Sequence, residues 1–469
     1  MLAGLWLILT WPDWPHRPVP ELITRIYGFT WNLVVDWIVL LSVFLMLGLQ
    51  FRPVTLGLCQ GLQLLRRVAF TPRVSSSLNS LDAAMVCLGG MVGVGSILGM
   101  ARLLINGGPG AIVWFVVAGL LGSSAKFAET YLAVRFREAR QGRVVMAGPM
   151  VFLRDGLDER WRWLSTCFAL CGCVAVFGLG SAAQVDGLAI TLQASAGVPS
   201  WISGVFVALI VFVLASGGIT RIAGFCRYLV PAMLVGYWAV CISILAIHPL
   251  NTSQAFVQIV QEGFSMEAIF DGTLAAVLSV GVIRAVSATE IGAGTVSIVQ
   301  GLAQPFQPVA QAGVSVITGL GTVLTGALTG LVMVTVLLGS AMPGDSSLPI
   351  ADSRDWVLQA FAAGNQGSAW FVDAGIVLFA LTTMLVHCFI GEQCISFLAG
   401  ERARLPFRLV WVGVLMLQAI VGFQFIWILT QSMTTLMVIP NMFGLALLST
   451  KLFHWVLNSH EPKTSLSEG

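Results

Sequence analysis

The sequence predicts an all-α polytopic membrane protein of about eleven transmembrane helices, two five-helix repeats related by inversion and preceded by one extra N-terminal helix. Three observations predict it. Of 469 residues, 57% are hydrophobic and only 10% charged, against about 25% charged in soluble domains, too little charge to cover a water-facing surface. Runs of about 20 apolar residues, the length that crosses a hydrocarbon core of roughly 30 Å, recur from Trp31 to the neighbourhood of Phe453. Two of those runs, five spans apart, are interrupted by clustered glycines. Backbone groups facing lipid need internal partners, so each run is helical.

An external segment over residues 1–30 comes first. Its apolar stretch Leu2–Leu9 lacks a basic leader and runs into Trp11-Pro12-Asp13-Trp14-Pro15 instead of a small-residue cleavage site, which argues against a cleaved signal peptide. The extra helix follows at 31–50. The first repeat, 83–247, places spans at 83–104, 110–134, 164–192, 201–216 and 228–247. The second, 273–456, places them at 273–300, 314–338, 370–398, 409–426 and 432–456, with a tail over 457–469.

Basic residues fall on alternate connections: Arg52, Arg66, Arg67 and Arg73; Arg135 through Arg162; Arg221 and Arg227; Arg402, Arg404 and Arg408; Lys451 and Lys463. These connections are expected on the cytoplasmic side. The intervening Asn106–Pro109, Gly197–Ser200 and His248–Asp271 contain no Lys or Arg, and Arg17, Arg25, Arg102 and Arg354 are the exceptions. An odd span count then puts the N-terminus outside and the C-terminus in the cytoplasm. The Arg135–Arg162 connection, with its Gly148-Pro149 turn, is expected as a surface feature and not a domain.

A net charge of +2 spread over short loops offers no nucleic-acid-binding patch. The nine cysteines show no metal spacing and sit mostly inside apolar runs, where they read as reduced packing thiols.

The glycine interruptions carry the functional signal. Transporter sites form where a spanning helix unwinds and exposes amides and carbonyls at the membrane midplane. Gly89-Gly90-Met91-Val92-Gly93-Val94-Gly95-Ser96-Ile97-Leu98-Gly99 is the first such stretch, and Ser287-Ala288-Thr289-Glu290-Ile291-Gly292-Ala293-Gly294-Thr295 the second. They are core helices one and six, corresponding members of two halves, which points to an inverted repeat. Glycine as a surface for close helix packing is the competing reading.

Gly107-Gly108-Pro109-Gly110-Ala111, followed by Leu121-Gly122-Ser123-Ser124-Ala125-Lys126-Phe127-Ala128-Glu129, resembles the most recognisable stretch of the sodium:alanine (or glycine) symporter family. Gly148-Pro149-Met150, Gly217 to Ala223, Arg284 with Glu290 to Gly294, Thr382-Thr383 ahead of Gly391-Glu392, and Ile439-Pro440-Asn441 extend the likeness over nearly the whole chain. The resemblance implies a leucine-transporter-type fold in a bacterial inner membrane and sodium-driven symport of alanine, glycine or a similar small neutral amino acid. It implies no cofactor, only sodium as coupling ion.

By that resemblance, Gly93 to Gly99, including Gly95 and Ser96, would offer amides to the substrate carboxylate. Gln184, Thr383, His387 and Gly292 would complete the substrate site, and Thr382 and Thr383, with backbone carbonyls near Gly93, would hold sodium through the oxygen ligands a hard cation prefers. The chain departs from the family where Met91, Val94 and Ser96 replace the usual Thr, Thr and Asn, and where His387 replaces a Trp.

Ionisable residues inside spans default to interior or functional positions. Glu290 is expected to support the second break or contact an ion. Lys126 and Glu129, one turn apart, are expected to pair or to snorkel, and Arg284 to brace the sixth helix through an internal carboxylate or act as a gate. Asp186 points away from Gln184, which suits scaffold pairing. His387, one turn after Thr383, is a packing residue or a ligand-lining, proton-sensing one. A proton-coupled carrier or exchanger of the same fold is therefore the nearest rival. A membrane enzyme is disfavoured, since neither an H-E-x-x-H cluster nor a nucleophile elbow with usable His and Asp occurs. A channel is disfavoured by the lack of a repeated pore loop or charged ring.

Overall fold

The protein is described by a computed structural model covering residues 21–49, 52–69, 78–140, 143–264, 273–304, 306–337, 350–365, 367–421 and 424–457. The leading residues 1–20, the tail 458–469 and residues 265–272 of the expected external loop lie outside the described residues.

Every predicted span coincides with a helix or a helix pair. In chain order these are α1 (Glu21–Gly48), an unpredicted α2 (Arg52–Ala69), α3 (Ser80–Met91) with α4 (Val94–Gly107), and α5 (Ala111–Phe136). Next come a hairpin of β1 (Glu138–Arg140) and β2 (Arg143–Met146), and a short α6 (Pro149–Gly156). α7 (Trp163–Phe177) and α8 (Ala183–Ala196) form one rod through a π-helical turn at Gly178–Ala182. α9 (Ser200–Ala215), α10 (Gly218–Ile247), α11 (Pro249–Gly263), α12 (Thr273–Thr289) and α13 (Thr295–Gly301) follow. The chain continues with α14 (Pro308–Leu337), α15 (Ile350–Gly364), α16 (Ser368–Ala399), α17 (Arg404–Val421) and α18 (Gln424–Leu457).

Seven helical segments among the described residues are long and apolar enough to cross a membrane, and the α3–α4 pair, bent by 43°, makes an eighth. Large apolar side chains exposed on α9 (Trp201, Phe206, Leu209), α10 (Tyr228, Val235, Ile242) and α17 (Leu409, Val410) suit contact with hydrocarbon instead of water. α16 is the most enclosed span; it packs on α7, α8, α10 and α3.

The helices that were not predicted are those that fail the test of a long apolar run. Where the basic residues suggest a loop, α2 lies against α14, and a Cβ on Gly61 would stand 2.8 Å from the Val314 amide nitrogen, so only glycine allows that approach. α11 and α15 fill connections read as loops. Arg354, an exception to the charge pattern, is buried: it donates to Asp373 at 2.8 Å, Asp355 at 2.9 Å and Thr191 at 3.2 Å, joining α15 to α16 and α8. All nine cysteines are free thiols, as expected.

The breaks stand where glycine density put them, but the first is shorter than predicted. Only Val92 and Gly93 leave the helix, whereas Gly95, Ser96 and Gly99 belong to α4. The ladder resumes as soon as Ser96 N–H reaches the Gly93 carbonyl at 2.9 Å.

Candidate functional site

At the first break, side chains stand in for the missing ladder. The Val94 amide, first of α4, donates to Gln184 Oε1 at 3.0 Å, and the Ser96 hydroxyl donates to the Met91 carbonyl at 3.0 Å. A Cβ on Gly93 would lie 2.8 Å from both Gln184 Oε1 and Thr383 Oγ1, which is why the chain turns on glycine here. The Gly95 amide makes no hydrogen bond among the described residues and belongs to the exposed positive end of α4.

Thr383 sits opposite on α16. Its hydroxyl is 3.0 Å from the Gly89 carbonyl and 2.9 Å from that of Phe379. The neighbouring Thr382 hydroxyl donates to Phe379 O at 2.9 Å, and its Oγ1 would be 3.5 Å from a Cβ on Gly89. The carbonyl that meets the Thr383 hydroxyl is that of Gly89, in the last turn of α3 and four residues before Gly93. Two hydroxyls and a carbonyl from two helices form an oxygen-rich corner of the kind that suits a hard monovalent cation.

The second break, Glu290–Gly294, turns through left-handed backbone at Glu290 (φ 53°), Gly292 (φ 80°) and Gly294 (φ 73°). For glutamate that conformation is uncommon and needs outside support. Three contacts supply it. Thr295 donates to Glu290 Oε2; His387 Nε2 lies 3.2 Å from Glu290 Oε1, close enough for an ion contact though off the line of a hydrogen bond; and Asn441 Nδ2 on α18 donates at 2.8 Å to both the Gly292 carbonyl and Glu129 Oε1. His387 Nδ1 meets the Thr383 carbonyl at 3.0 Å, so α16 touches both breaks one turn apart.

Between the breaks lies a cavity of about 100 Å³, well below the roughly 300–1,000 Å³ of drug-sized sites and suited to a ligand of a few heavy atoms. Of the sequence-predicted substrate residues, Gly93, Gly95, Ser96, Gln184 and Thr383 line it, joined by Glu290 and Arg284. Gly99, Gly292 and His387 do not. Gly99 is covered by the Arg284 guanidinium, Gly292 lies beneath Asn441, and His387 is fully buried behind Glu290.

Other expectations need correction. Arg284 braces no carboxylate among the described residues; it donates to the Gly95 carbonyl, across the cavity wall. Lys126 does not snorkel and makes no ion pair with Glu129; buried, it points Nζ at Met91 Sδ, 3.4 Å away. Asn441 enters the sequence reading only through its motif, yet a carboxamide one residue after Pro440 inside a span is itself the signal of a buried polar contact. Among the described residues no cluster of three His, Cys, Asp or Glu side chains could hold a transition metal.

Comparison with known proteins agrees with this picture. A model described as the sodium:alanine symporter family matches residues 17–466. Similar relatives include the sodium/alanine symporter AgcS of Methanococcus maripaludis, 32% identical over 79% of this chain and 82% of that one. An uncharacterized transporter of Haemophilus influenzae is 32% identical over 78% and 80%. A putative sodium/proton-dependent alanine carrier, YrbD of Bacillus subtilis, is 28% identical over 80% and 79%. Among solved structures, MhsT in complex with L-phenylalanine superposes with a TM-score of 0.55 at 14% identity, over 78% of this chain and 88% of that one. A sodium-coupled sialic acid symporter gives 0.51 at 11% identity, over 89% and 86%. At such identities the likeness establishes the leucine-transporter-type fold alone.

Proposed function

The chain belongs to the sodium:alanine symporter family, and from that membership we propose that it carries a small neutral amino acid, alanine or glycine, into the cell together with sodium. It is a multi-pass membrane transporter and not an enzyme. The observation that carries the reading is the small cavity where both helix breaks meet, walled by the unpaired Gly95 amide, the Thr383 hydroxyl, Arg284 and Glu290.

In this reading the amino acid occupies the cavity, and sodium takes the corner of Thr382, Thr383 and the Gly89 carbonyl, separating the hydrogen bond from Thr383 to Gly89. An ion there fixes the end of α3 relative to α16 and so shapes the break on which the amino acid rests. Cooperation between the two ligands follows, and it must be reciprocal. Transport proceeds by rocking of one helix bundle against the other around this site. Eleven crossings, a five-plus-five inverted repeat after the extra helix α1, an external N-terminus and a cytoplasmic C-terminus in a bacterial inner membrane complete the proposal. The site needs no cofactor beyond the coupling ion.

One observation favours a second reading, in which protons replace or accompany sodium. His387 and Glu290 form a buried pair at the hinge of the second break, 3.2 Å apart, in contact with the residue that would bind sodium. Uptake of labelled alanine into proteoliposomes separates the two. Accumulation under an inward sodium gradient that vanishes when potassium replaces sodium supports symport with sodium; accumulation driven by a pH gradient alone overturns it.

A further inference from the structure

Among the described residues, Arg284 is the one cavity-lining charge without an opposite charge beside it. Its side chain is half-buried, Nε is sealed from solvent without a hydrogen-bond partner, and the guanidinium forms no ion pair among the described residues. Its one acceptor is the Gly95 carbonyl. The nearby acids are committed elsewhere: Glu290 to His387 and Thr295, and Glu129 to Asn441. An unpaired cation within a membrane protein is costly to keep, and no carboxylate among the described residues offsets that cost. The helix amide best placed to take an anion at the first break, that of Val94, is already occupied by Gln184 Oε1.

We propose that Arg284 receives the carboxylate of the transported amino acid, so that the site selects ligands with a free carboxylate and rejects their neutral derivatives. The inference rests on the transport reading above and adds the group that recognises the ligand. A planar guanidinium matches a carboxylate through two parallel hydrogen bonds and prefers it to a neutral carbonyl. On binding, Arg284 exchanges the Gly95 carbonyl for the ligand, and the unpaired Gly95 amide supplies a further donor from the same wall. Gly99 has no side chain because the guanidinium lies over it, which keeps the arginine against α4 and in the cavity.

The test uses the full chain in proteoliposomes and compares L-alanine with L-alaninamide, which keeps the ammonium and lacks the carboxylate, as competitors of labelled alanine uptake. The unsubstituted protein should prefer alanine by roughly ten- to a hundredfold, the range of a hydrogen bond to a charged group. Arg284→Gln should bring the ratio to within about threefold, a loss that a merely structural role, weakening both competitors alike, would not produce. Should that variant not fold, Ser287→Asp carries the same test: residue 287 is exposed, lines the cavity and lies one turn from Arg284, so a carboxylate there would compete with the ligand and lower the ratio. Uptake with an unchanged ratio in either folded variant overturns the carboxylate assignment alone. Failure of the unsubstituted chain to take up any small neutral amino acid under a sodium gradient overturns the transport reading beneath it.

Discussion

The two helix breaks differ in how they treat the backbone they release. At Val92–Gly93 the substitutes for the ladder are few: one carboxamide, two hydroxyls, a guanidinium on the Gly95 carbonyl, and an amide at Gly95 with no partner among the described residues. At Glu290–Gly294 they are charged and nearly complete, with Glu290, His387, Thr295, Asn441 and Glu129 closing on one another. Unpaired polar groups inside a protein raise its energy, so a break left open is where a ligand gains most by binding, and a closed break is a joint. The first therefore reads as the binding surface and the second as the hinge that holds its shape.

The largest effect is expected from breaking the closed joint. Asn441→Leu would strand the Glu129 carboxylate and the Gly292 carbonyl without their common donor. Leaving a buried acceptor unsatisfied costs about 1–3 kcal/mol, more when it is charged, and two are stranded here, enough to lower the melting temperature in detergent by several degrees or to abolish folded protein. A melting curve within a degree of the parent would break the distinction between hinge and binding surface.

At the open break, Gly93→Ala would press a methyl against Gln184 and Thr383 at 2.8 Å. Overpacking of that kind costs about 1–3 kcal/mol, and here it falls on the cavity wall, so uptake should drop by roughly tenfold or more while the fold survives. Thr383→Val removes the hydroxyl facing the Gly89 carbonyl. The concentration of sodium giving half-maximal uptake should rise by roughly tenfold, the worth of about one hydrogen bond; unaltered sodium activation would remove Thr383 from the ion site.

The smallest effect sharpens the second region. His387→Gln keeps a polar side chain beside Glu290 but cannot take a proton. The attraction between His387 and Glu290 is present when the imidazole is protonated and fades as pH rises through the range in which histidine titrates. Uptake between about pH 5.5 and 8 should therefore vary by about twofold less in the variant, and parallel profiles would leave His387 a packing residue.

Much of this was legible in the sequence because hydrocarbon thickness imposes a length on every span and glycine marks where a helix can open. Each of the predicted spans has its helix, and both breaks fall inside the predicted stretches. Three things were not legible. α2 and α15 bury one face against the bundle and leave the other largely polar, and α11 interrupts its apolar residues with Asn251, Ser253, Gln254, Gln258 and Gln261, so no span-length apolar run announces any of them. The extent of the first break depends on Gln184 reaching Val94 across 90 positions of chain, which glycine density cannot encode. Charge complementarity points Arg284 to a carboxylate, and the fold gives it a backbone carbonyl instead. His387 shows a further limit: placed on the face of Thr383 as helical spacing required, it is kept out of the cavity by Glu290, whose left-handed backbone no spacing rule anticipates.

The most direct test of the account measures alanine binding to the purified full chain across a series of sodium concentrations, and sodium binding across a series of alanine concentrations. Two ligands sharing the first break should each strengthen the other by the same factor, and Thr383→Val should reduce both effects together. Alanine affinity that is independent of sodium in the unsubstituted protein would contradict the claim that one opened helix holds both.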